Sequence, residues 1–422
     1  MASSTTTRVT PQLAATLPED MIRLIGWRVL AGDFQDYVRF RAACRWWRSC
    51  TDCPRGRSIA DRRFHPRGWT MLPEGHGLCP GHSDLGGCIR LFNRFSGVFV
   101  RVRLPHFGDH HILDAVDGIF VLMRHGDTVV RLLHPFTGDI ADLPPLYTLL
   151  PPLPDRYSSS RTTYIRTFDW IDLKGVHATL ISPSANGVTV MMFLQNGFVV
   201  FATSGGQQWF ESSFKLPCYC RPRSFQGKLY LVGRSADKFG RMIGKFGVYQ
   251  LDPPQNQDSS SSLQLPPPKF IATLCNPIPG QYFYLAECNS EILLLSRDGV
   301  KSKSFLVYRL ADLIVERMAP VTSIGGYAIF CHHLGGTLSI NSRAMPTIMG
   351  DTAVFYDKDQ YLTQYHLGSG RVSLAADQQP ECGLLPVPGP CTIMYVMIGC
   401  CYREAWRRGK IIGIWSGWRK ER

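Results

Sequence analysis

DGIFVLMRHGDTVVRLLHPFTGDIADLPP (residues 117–145) shows the plan on which most of this chain is built. An apolar run led by glycine is followed by a polar turn, a second apolar run, and an exit through leucine and proline. The same plan recurs in degenerate form in SEILLLSRDGVKSKSFLVYRLADLIVERMAP (290–320) and DTAVFYDKDQYLTQYHLGSGRVSL (351–374). Short apolar runs separated by Gly, Pro, Asp and Asn are typical of antiparallel β structure.

Strand-sized runs continue through the chain after residue 70, where helical periodicity is nearly absent. They are GVFVRVRLP (97–105), GIFVLM (118–123), TVVRLLHP (128–135), VTVMMFL (188–194), GFVVFAT (197–203), KLYLVG (228–233), EILLLS (291–296), SFLVYRL (304–310), TAVFY (352–356) and YLTQYHL (361–367). Sheets that recur every 40 to 50 residues or so indicate a β-propeller, here of about six to seven blades. A pair of stacked sandwiches is the rival, because strand spacing alone does not decide whether a ring closes.

Composition limits the class of protein. With 422 residues and 45% hydrophobic content, the chain can form one small and one large domain. It contains no run of roughly 20 apolar residues and opens on MASSTTTRVT, so we predict a soluble, intracellular protein in the nucleus, the cytoplasm or both. The 14 cysteines are irregularly spaced, and we expect reduced thiols.

The net charge of +13 raises the hypothesis of nucleic-acid binding. The excess charge lies at the two ends of the chain, between residues 39 and 67 and between residues 403 and 422. No zinc-finger, helix-turn-helix or RNA-binding signature accompanies it. We therefore consider a solvated face, or a surface for an acidic protein, at least as good an interpretation.

Residues 17–49 differ from the rest because they have helical periodicity. We expect Thr16 to cap a helix whose first turn contains Pro18, Glu19 and Asp20. Gly32 and Asp33 end this helix, and a second amphipathic run closes on Trp46 and Trp47. The apolar stripe of the first helix consists of Met21, Ile22, Leu24, Ile25, Val29 and Leu30. A unit of this size cannot bury enough apolar surface alone, so we predict that its stripe docks on another surface.

The helical unit resembles the F-box of plant proteins through Leu17-Pro18-x-Asp20, Ile25 and DYVRFRAACRWWRS (36–49). F-box units bind the Skp1 adaptor, and through it a cullin, in SCF-type ubiquitin ligases. The resemblance implies that the Skp1-binding residues are Leu17, Pro18, Met21, Ile22, Ile25, Leu30 and Trp47. Gly26, Trp27 and Trp46 depart from the usual pattern. The alternative is an N-terminal helical cap that packs on its own domain.

The β region resembles the plant domain-of-unknown-function family 295, which is kelch-like and commonly follows an F-box. The resemblance rests on HPFTGDIADLPPL (134–146), QGKLYLV (226–232), LAECNSEILLLSR (285–297), FLVYRL (305–310), IGGYAIFCHHLGGTLSIN (324–341), PTIMGDTAVFYDKD (346–359) and GPCTIMYVMIGCCYREAW (389–406). It implies a fold that is mainly β, with a small N-terminal α unit followed by a six- to seven-bladed propeller-like domain.

The sequence offers little support for catalysis or metal binding. His76, Cys79, His82 and Cys88 have spacings that could supply zinc ligands, but a Gly/Pro-rich loop is the better interpretation. The pairs His110-His111 and His332-His333 are weaker candidates, because neighbours on a strand point to opposite faces. We find no GxSxG, P-loop, HExxH or paired-carboxylate motif, and we predict no catalytic residue, metal or cofactor.

These observations predict a disordered tail (1–14), an F-box-like helical domain (15–54), a linker (55–69), a β-propeller-like domain (70–406) and a basic tail (407–422). The segments 151–163 and 252–268 should be exposed loops or inter-blade connections. The predicted function is that of a substrate receptor, which binds Skp1 through the helices and an unknown target protein through the propeller. The rivals are a propeller scaffold that does not bind Skp1 and, less favoured, a propeller enzyme.

Overall fold

The structure of the chain is a computed structural model. The structure describes residues 17–72, 88–104, 109–124, 126–149, 176–184, 187–194, 197–216, 220–236, 242–257, 260–275, 281–297, 304–332, 336–356, 361–375, 397–398, 400–401, 406–407 and 410–411. The predicted tail of residues 1–14 and the low-complexity segment 151–163 lie outside these ranges.

Three helices form the N-terminal unit: α1 (Glu19–Gly32), α2 (Phe34–Ala43) and α3 (Arg45–Ser49). Pro18 is the N-cap residue of α1, two positions after the predicted cap Thr16, so it precedes the first turn, whereas Glu19 and Asp20 lie in that turn as expected. Thr16, the predicted cap, lies outside the described residues. A fourth helix, α4 (Leu310–Ile314), occurs much later in the chain.

All other regular structure in the described part of the chain is β, apart from three short 3-10 turns. The strands are β1 (Trp69–Met71), β2 (Cys88–Asn93), β3 (Phe99–Arg103), β4 (His110–Val116), β5 (Ile119–Arg124), β6 (Val129–Leu133), β7 (Ile140–Pro145), β8 (His177–Ser184), β9 (Gly187–Phe193), β10 (Val199–Thr203), β11 (Phe210–Glu211), β12 (Arg223–Phe225), β13 (Lys228–Ala236), β14 (Met242–Leu251), β15 (Gln255–Gln257), β16 (Ser260–Gln264), β17 (Lys269–Thr273), β18 (Tyr282–Cys288), β19 (Glu291–Arg297), β20 (Phe305–Arg309), β21 (Tyr327–Cys331), β22 (Thr337–Asn341), β23 (Thr352–Tyr356), β24 (Leu362–His366), β25 (Val372–Leu374), β26 (Trp406–Arg407) and β27 (Lys410–Ile411).

The strands form six blade sheets, which we number in chain order. Sheet 1 is β1-β2-β3, sheet 2 is β4-β5-β6-β7, sheet 3 is β8-β9-β10-β11, sheet 4 is β12-β13-β14-β17, sheet 5 is β18-β19-β20 and sheet 6 is β22-β21-β23-β24-β25. Neighbouring strands are antiparallel, except that β21 and β23 are parallel. Within the predicted loop 252–268, β15 and β16 form a separate hairpin.

Buried apolar clusters between neighbouring sheets close the six blades into a ring. Each cluster takes side chains from two sheets, represented by Ile89 and Leu122 (sheets 1 and 2), Val121 and Val190 (2 and 3), Phe201 and Leu231 (3 and 4), Val248 and Leu294 (4 and 5), Leu295 and Ile329 (5 and 6), and Phe330 and Phe92 (6 and 1). Sheet 6 therefore packs on sheet 1. The fold is a six-bladed β-propeller, and the stacked-sandwich alternative is wrong because this last contact completes the ring.

The middle strands are apolar on both faces because each sheet lies between two others. In β5, Val121 and Met123 pack towards sheet 3, whereas Phe120 and Leu122 pack towards sheet 1. Such a strand has no solvent face, so its sequence is a continuous apolar run rather than an alternating one.

A C-terminal segment completes the contact between sheets 1 and 6. Met397 and Ile398 are buried in the cluster that joins these sheets, together with Cys400 and Cys401. The Cys400 thiol lies 3.5 Å from the carbonyl oxygen of Met71 in sheet 1, and the Cys401 thiol lies 3.6 Å from that of Phe330 in sheet 6. In the described part of the chain, no helix has the length and apolarity needed to cross a membrane.

Candidate protein-interaction surfaces

Asp33 joins the N-terminal helices to sheet 1. Its Oδ1 accepts hydrogen bonds from the backbone N–H groups of Gln35 (2.8 Å) and Asp36 (3.2 Å), which caps α2. Its Oδ2 accepts hydrogen bonds from the indole N–H of Trp69 (2.8 Å) and the side-chain amide of Asn93 (2.6 Å). Trp69 belongs to β1 and Asn93 to β2, so one carboxylate holds the α1–α2 junction on the propeller.

Aromatic packing adds a second connection, between α2 and sheet 2. The Phe34 ring lies 4.8 Å from the ring of His134 and 5.7 Å from that of Phe136, centroid to centroid. Tyr37 and Phe64 are fully buried, and their ring centroids are 6.0 Å apart. On this face the helices pack on their own propeller, as the helical-cap alternative predicted.

Residues 55–68, most of the predicted linker, pack against sheet 2. Asp139 accepts hydrogen bonds from the backbone N–H groups of Gly56 (2.8 Å) and Ser58 (3.1 Å) and from the Ser58 hydroxyl (2.7 Å). Ile59 and Phe64 are buried. This stretch therefore fixes the helices relative to the propeller and does not act as a free tether.

His134 is a neutral part of this interface. Burial lowers the pKa of His134 to about 4, so the ring carries no charge at neutral pH. Its Nδ1 accepts hydrogen bonds from the backbone N–H groups of Phe136 (3.3 Å) and Thr137 (3.1 Å). The proton therefore resides on Nε2, which donates to the carbonyl oxygen of Phe64 at 3.0 Å.

The opposite face of the helical unit is open. The predicted Skp1-binding residues divide into two groups: Ile22 and Leu30 are buried, whereas Met21 and Pro18 are exposed and Leu17, Ile25 and Trp47 are half-buried. Ile22 and Leu30 therefore support the unit from inside and do not offer a surface to a partner. Trp47 stacks on Phe40, with ring centroids 4.4 Å apart.

Exposed apolar side chains form what we call the outer helical patch: Met21, Leu24 and Trp27, with Leu17 and Trp46 beside them. The first three are 49%, 47% and 45% exposed. They lie three residues apart, on the side of α1 opposite the buried residues Ile22, Gly26 and Leu30. Trp46 joins the patch because its indole N–H donates to the carbonyl oxygen of Leu17 at 3.3 Å.

The sequence analysis treated Trp27 and Trp46 as departures from the motif, and it placed Leu24 in the apolar stripe but not among the Skp1-binding residues. The three-residue spacing of Met21, Leu24 and Trp27 was the available signal. No signal in the sequence pointed to the contact between Trp46 and Leu17, because the two residues are 29 positions apart.

Polar side chains on the inner strands line the centre of the propeller. Arg223 of β12 forms an ion pair with Glu287 of β18 at 3.1 Å. The Asp114 carboxylate of β4 accepts a hydrogen bond from the backbone N–H of Ala178 in β8 at 2.9 Å. Each contact joins two neighbouring blades, so these charged groups stabilise the ring.

Most of the candidate zinc ligands lie outside the part of the chain that the structure describes. His76, Cys79 and His82 lie outside the described residues, as does His333, and Cys88 is half-buried at the start of β2. Among the residues that the structure describes, no three His, Cys, Asp or Glu side chains are placed to hold a metal ion.

Comparison with known families identifies the β region. The model of the KIB1-4 beta-propeller family matches residues 91–373. The chain belongs to this family. The match to the KIB1-4 beta-propeller extends from β2 into β25 and leaves the three N-terminal helices outside it. No F-box or kelch family model matches the chain.

Among solved structures, the β-propeller domain of Cps50 (Swd1) from Myceliophteria thermophila resembles this chain. The two are 10% identical, the alignment covers 68% of this chain and 76% of that one, and the TM-score is 0.29. No curated protein matches the chain. The assignment to the propeller fold therefore rests on the ring of six sheets and on the family match.

Proposed function

We propose that this KIB1-4 beta-propeller protein is the substrate-recognition subunit of an SCF-type ubiquitin ligase. In this role the outer helical patch binds a Skp1 adaptor, which links the chain to a cullin, and the propeller binds the target protein. We expect such a complex in the nucleus, the cytoplasm or both.

One observation carries the proposal: the helical unit has two unlike faces. Its inner face is attached to the propeller through Asp33, Phe34 and Tyr37. Its outer face exposes Met21, Leu24 and Trp27 to solvent. A contiguous apolar patch on a unit that has already completed its own packing is typical of a protein-binding surface.

The rigid attachment of the helices suits a receptor. A ligase receptor performs no bond chemistry, because it increases the rate of transfer by holding the target close to the ubiquitin-loaded enzyme. That effect depends on a fixed geometry between the adaptor-binding surface and the target-binding surface. Such a geometry is supplied by the hydrogen bonds from Trp69 and Asn93 of sheet 1 to Asp33, and by those from Gly56 and Ser58 to Asp139 beside β7.

The test is binding of the full-length chain to purified Skp1, measured by calorimetry. The variant Met21→Asp/Leu24→Asp places two carboxylates in the outer helical patch and should weaken binding by more than about tenfold, because one charge buried at an interface costs more than about 1.4 kcal/mol. Val315→Asp is the matched control, since Val315 is 67% exposed and follows α4, far along the chain. It should bind like the wild type.

Two results would reject the proposal. One is a folded wild-type chain, with an intact thermal transition, that does not bind Skp1. The other is equal Skp1 affinity of Met21→Asp/Leu24→Asp and the wild type, which would move the contact away from this patch.

A further inference from the structure

The outer edges of the blades are not equally protected. Sheet 2 ends in β7, which closes with Pro144 and Pro145, and sheets 3 and 6 end in strands of only two and three residues. In sheet 4, β17 packs against α4. In sheet 5, the backbone N–H of Val321 donates to the carbonyl oxygen of Val307 in β20 at 2.7 Å. Prolines, short strands and covering segments are the usual means of blocking an edge.

Sheet 1 ends in β3, which has none of these protections in the described part of the chain. It is five residues long, FVRVR, and contains no proline. Most of the other blades have at least four strands, whereas β3 is only the third strand of its sheet, and no other described strand pairs with its outer side. Among the residues that the structure describes, none occupies the position of a fourth strand in the first blade.

The hydrogen-bond pattern shows which groups of β3 face this open side. The N–H of Asn93 donates to the carbonyl oxygen of Val98 at 2.9 Å, so these two residues form a hydrogen-bonded pair. Such pairs alternate along an antiparallel ladder, and therefore Val100 and Val102 bond to β2. The N–H and C=O groups of Phe99, Arg101 and Arg103 point away from β2.

The side chains at the same three positions form a basic face with an aromatic end. Phe99 is 45% exposed, and Arg101 and Arg103 are exposed as well. Neither arginine forms a hydrogen bond or ion pair through its side chain with any residue in the described ranges. Arg101 also lies directly opposite Arg90 of β2. An acidic side chain beside the exposed Arg101 and Arg103 would be attracted to both of their charges.

We propose that β3 binds an extended, acidic segment of a partner protein, which adds to sheet 1 as its fourth strand. Main-chain hydrogen bonds to Phe99, Arg101 and Arg103 supply the attachment, and carboxylates opposite the two arginines supply the selectivity. The inference rests on the target-binding half of the proposed function and does not depend on Skp1 binding.

The experiment measures fluorescence anisotropy of a labelled peptide of about eight residues, a common strand length, in which glutamate and valine alternate. The full-length chain should bind this peptide and should bind the lysine–valine counterpart at least about tenfold more weakly. Added salt should weaken the acidic peptide's binding, because the arginines are solvent-exposed.

Two variants of β3 distinguish the contribution of its main-chain hydrogen bonds to peptide binding from that of its arginine charges. Arg101→Pro removes an N–H that points away from β2, so it should weaken peptide binding by about tenfold or more while leaving the ladder with β2 intact. Arg101→Glu/Arg103→Glu should reverse the preference towards the basic peptide. Arg371→Glu, an exposed arginine next to β25, is the charge control and should bind like the wild type.

Several outcomes would overturn the inference. They are the absence of acidic-peptide binding by a folded wild-type chain, equal binding of the acidic and basic peptides, and a wild-type dimer that Arg101→Pro converts to a monomer. The last would show that β3 pairs with a second copy of this chain. Skp1 binding by the wild type is measured in parallel, and its absence would count against the ligase proposal alone.

Discussion

At the scale of single residues, Gly26 shows how tightly α1 packs against the segment after α3. A Cβ atom at this position would lie 2.9 Å from the Thr51 Cγ2 atom and 3.4 Å from the Phe40 ring. By helix propensity alone Gly26 is unfavourable, since glycine weakens a helix by about 1 kcal/mol relative to alanine. The structure reverses that interpretation, because only glycine allows this close approach.

We expect Gly26→Ala to lower the free energy of unfolding by about 1–3 kcal/mol, in spite of its better helix propensity, because the added methyl group overpacks the contact with Thr51. Gly32→Ala is the control in the same helix. A Cβ at Gly32 would meet nothing within 4 Å, so this variant should be neutral or more stable by up to about 1 kcal/mol. Urea denaturation of both variants checks this, and equal effects would contradict it.

His134 should make the stability of the fold depend on pH. Its pKa is lowered from 6.5 to about 4 in the folded chain. Between these values the unfolded chain binds a proton that the folded chain does not, so stability is full above pH 6.5 and falls towards pH 4. A difference of this size corresponds to about 3 kcal/mol.

The measurement compares the unfolding free energy of the wild type with that of His134→Gln across this pH range. Both proteins contain the other histidines, so the contribution of those residues to the pH dependence cancels in the comparison. The difference between the two proteins should shrink as pH falls from 6.5 to about 4. A constant difference would show that His134 is not buried neutral at this interface.

At the scale of elements, Asp33 couples a helix to a sheet, and its two roles can be separated. Asp33→Ser keeps an oxygen that can cap α2 but loses the hydrogen bonds from Trp69 and Asn93. We expect a loss of about 1–2 kcal/mol for Asp33→Ser and a further 1 kcal/mol or so for Asp33→Ala, which also loses the cap. Chemical denaturation measures both, and indistinguishable variants would mean that the cap contributes nothing.

The strands differ in how well the sequence predicted them. The ten apolar runs of the sequence analysis all contain observed strands, from β3 to β24. The middle strands among them, such as β5, are continuously apolar because they are buried on both faces. Other blade strands, such as β2, β14 and β21, were not among these runs, and neither were the innermost strands β4, β8, β12 and β22. The innermost strands carry polar residues such as Asp114, His177 and Thr337 that line the centre of the ring, and these break the apolar pattern. The quoted repeat 117–145 accordingly contains the outer three strands of sheet 2 and omits β4.

At the scale of the whole molecule, closure of the ring depends on a segment distant in sequence from the sheets that it joins. Met397 is fully buried between sheets 1 and 6. We expect Met397→Ala to cost about 2–5 kcal/mol, as for other buried methionines. Met349→Ala is the matched control, since Met349 is 47% exposed, and its effect should stay within about 0.5 kcal/mol. Thermal unfolding of the two variants tests this, and similar midpoints would contradict a closing role for Met397.

The interaction surfaces are whole-molecule features, and the sequence located them only in part. The apolar stripe of α1 was recognised, but whether a residue such as Ile22 or Met21 faced inward depended on where α2 and sheet 2 would pack. Likewise, FVRVR was predicted to be a strand, yet its position at an open edge follows from the number of strands in sheet 1.

Local patterning therefore determined the helical unit, the β character of the remainder and ten of the blade strands, because hydrophobic periodicity and turn residues act over a few positions. The tertiary structure decided the number of blades, the docking of residues 55–68, the side of α1 that stays exposed and the open edge of β3. Each of these depends on contacts between residues far apart in the chain, such as Asp33 with Asn93 and Cys400 with Met71. Such contacts leave no periodic signal in the sequence, since the partners meet only after the ring has closed.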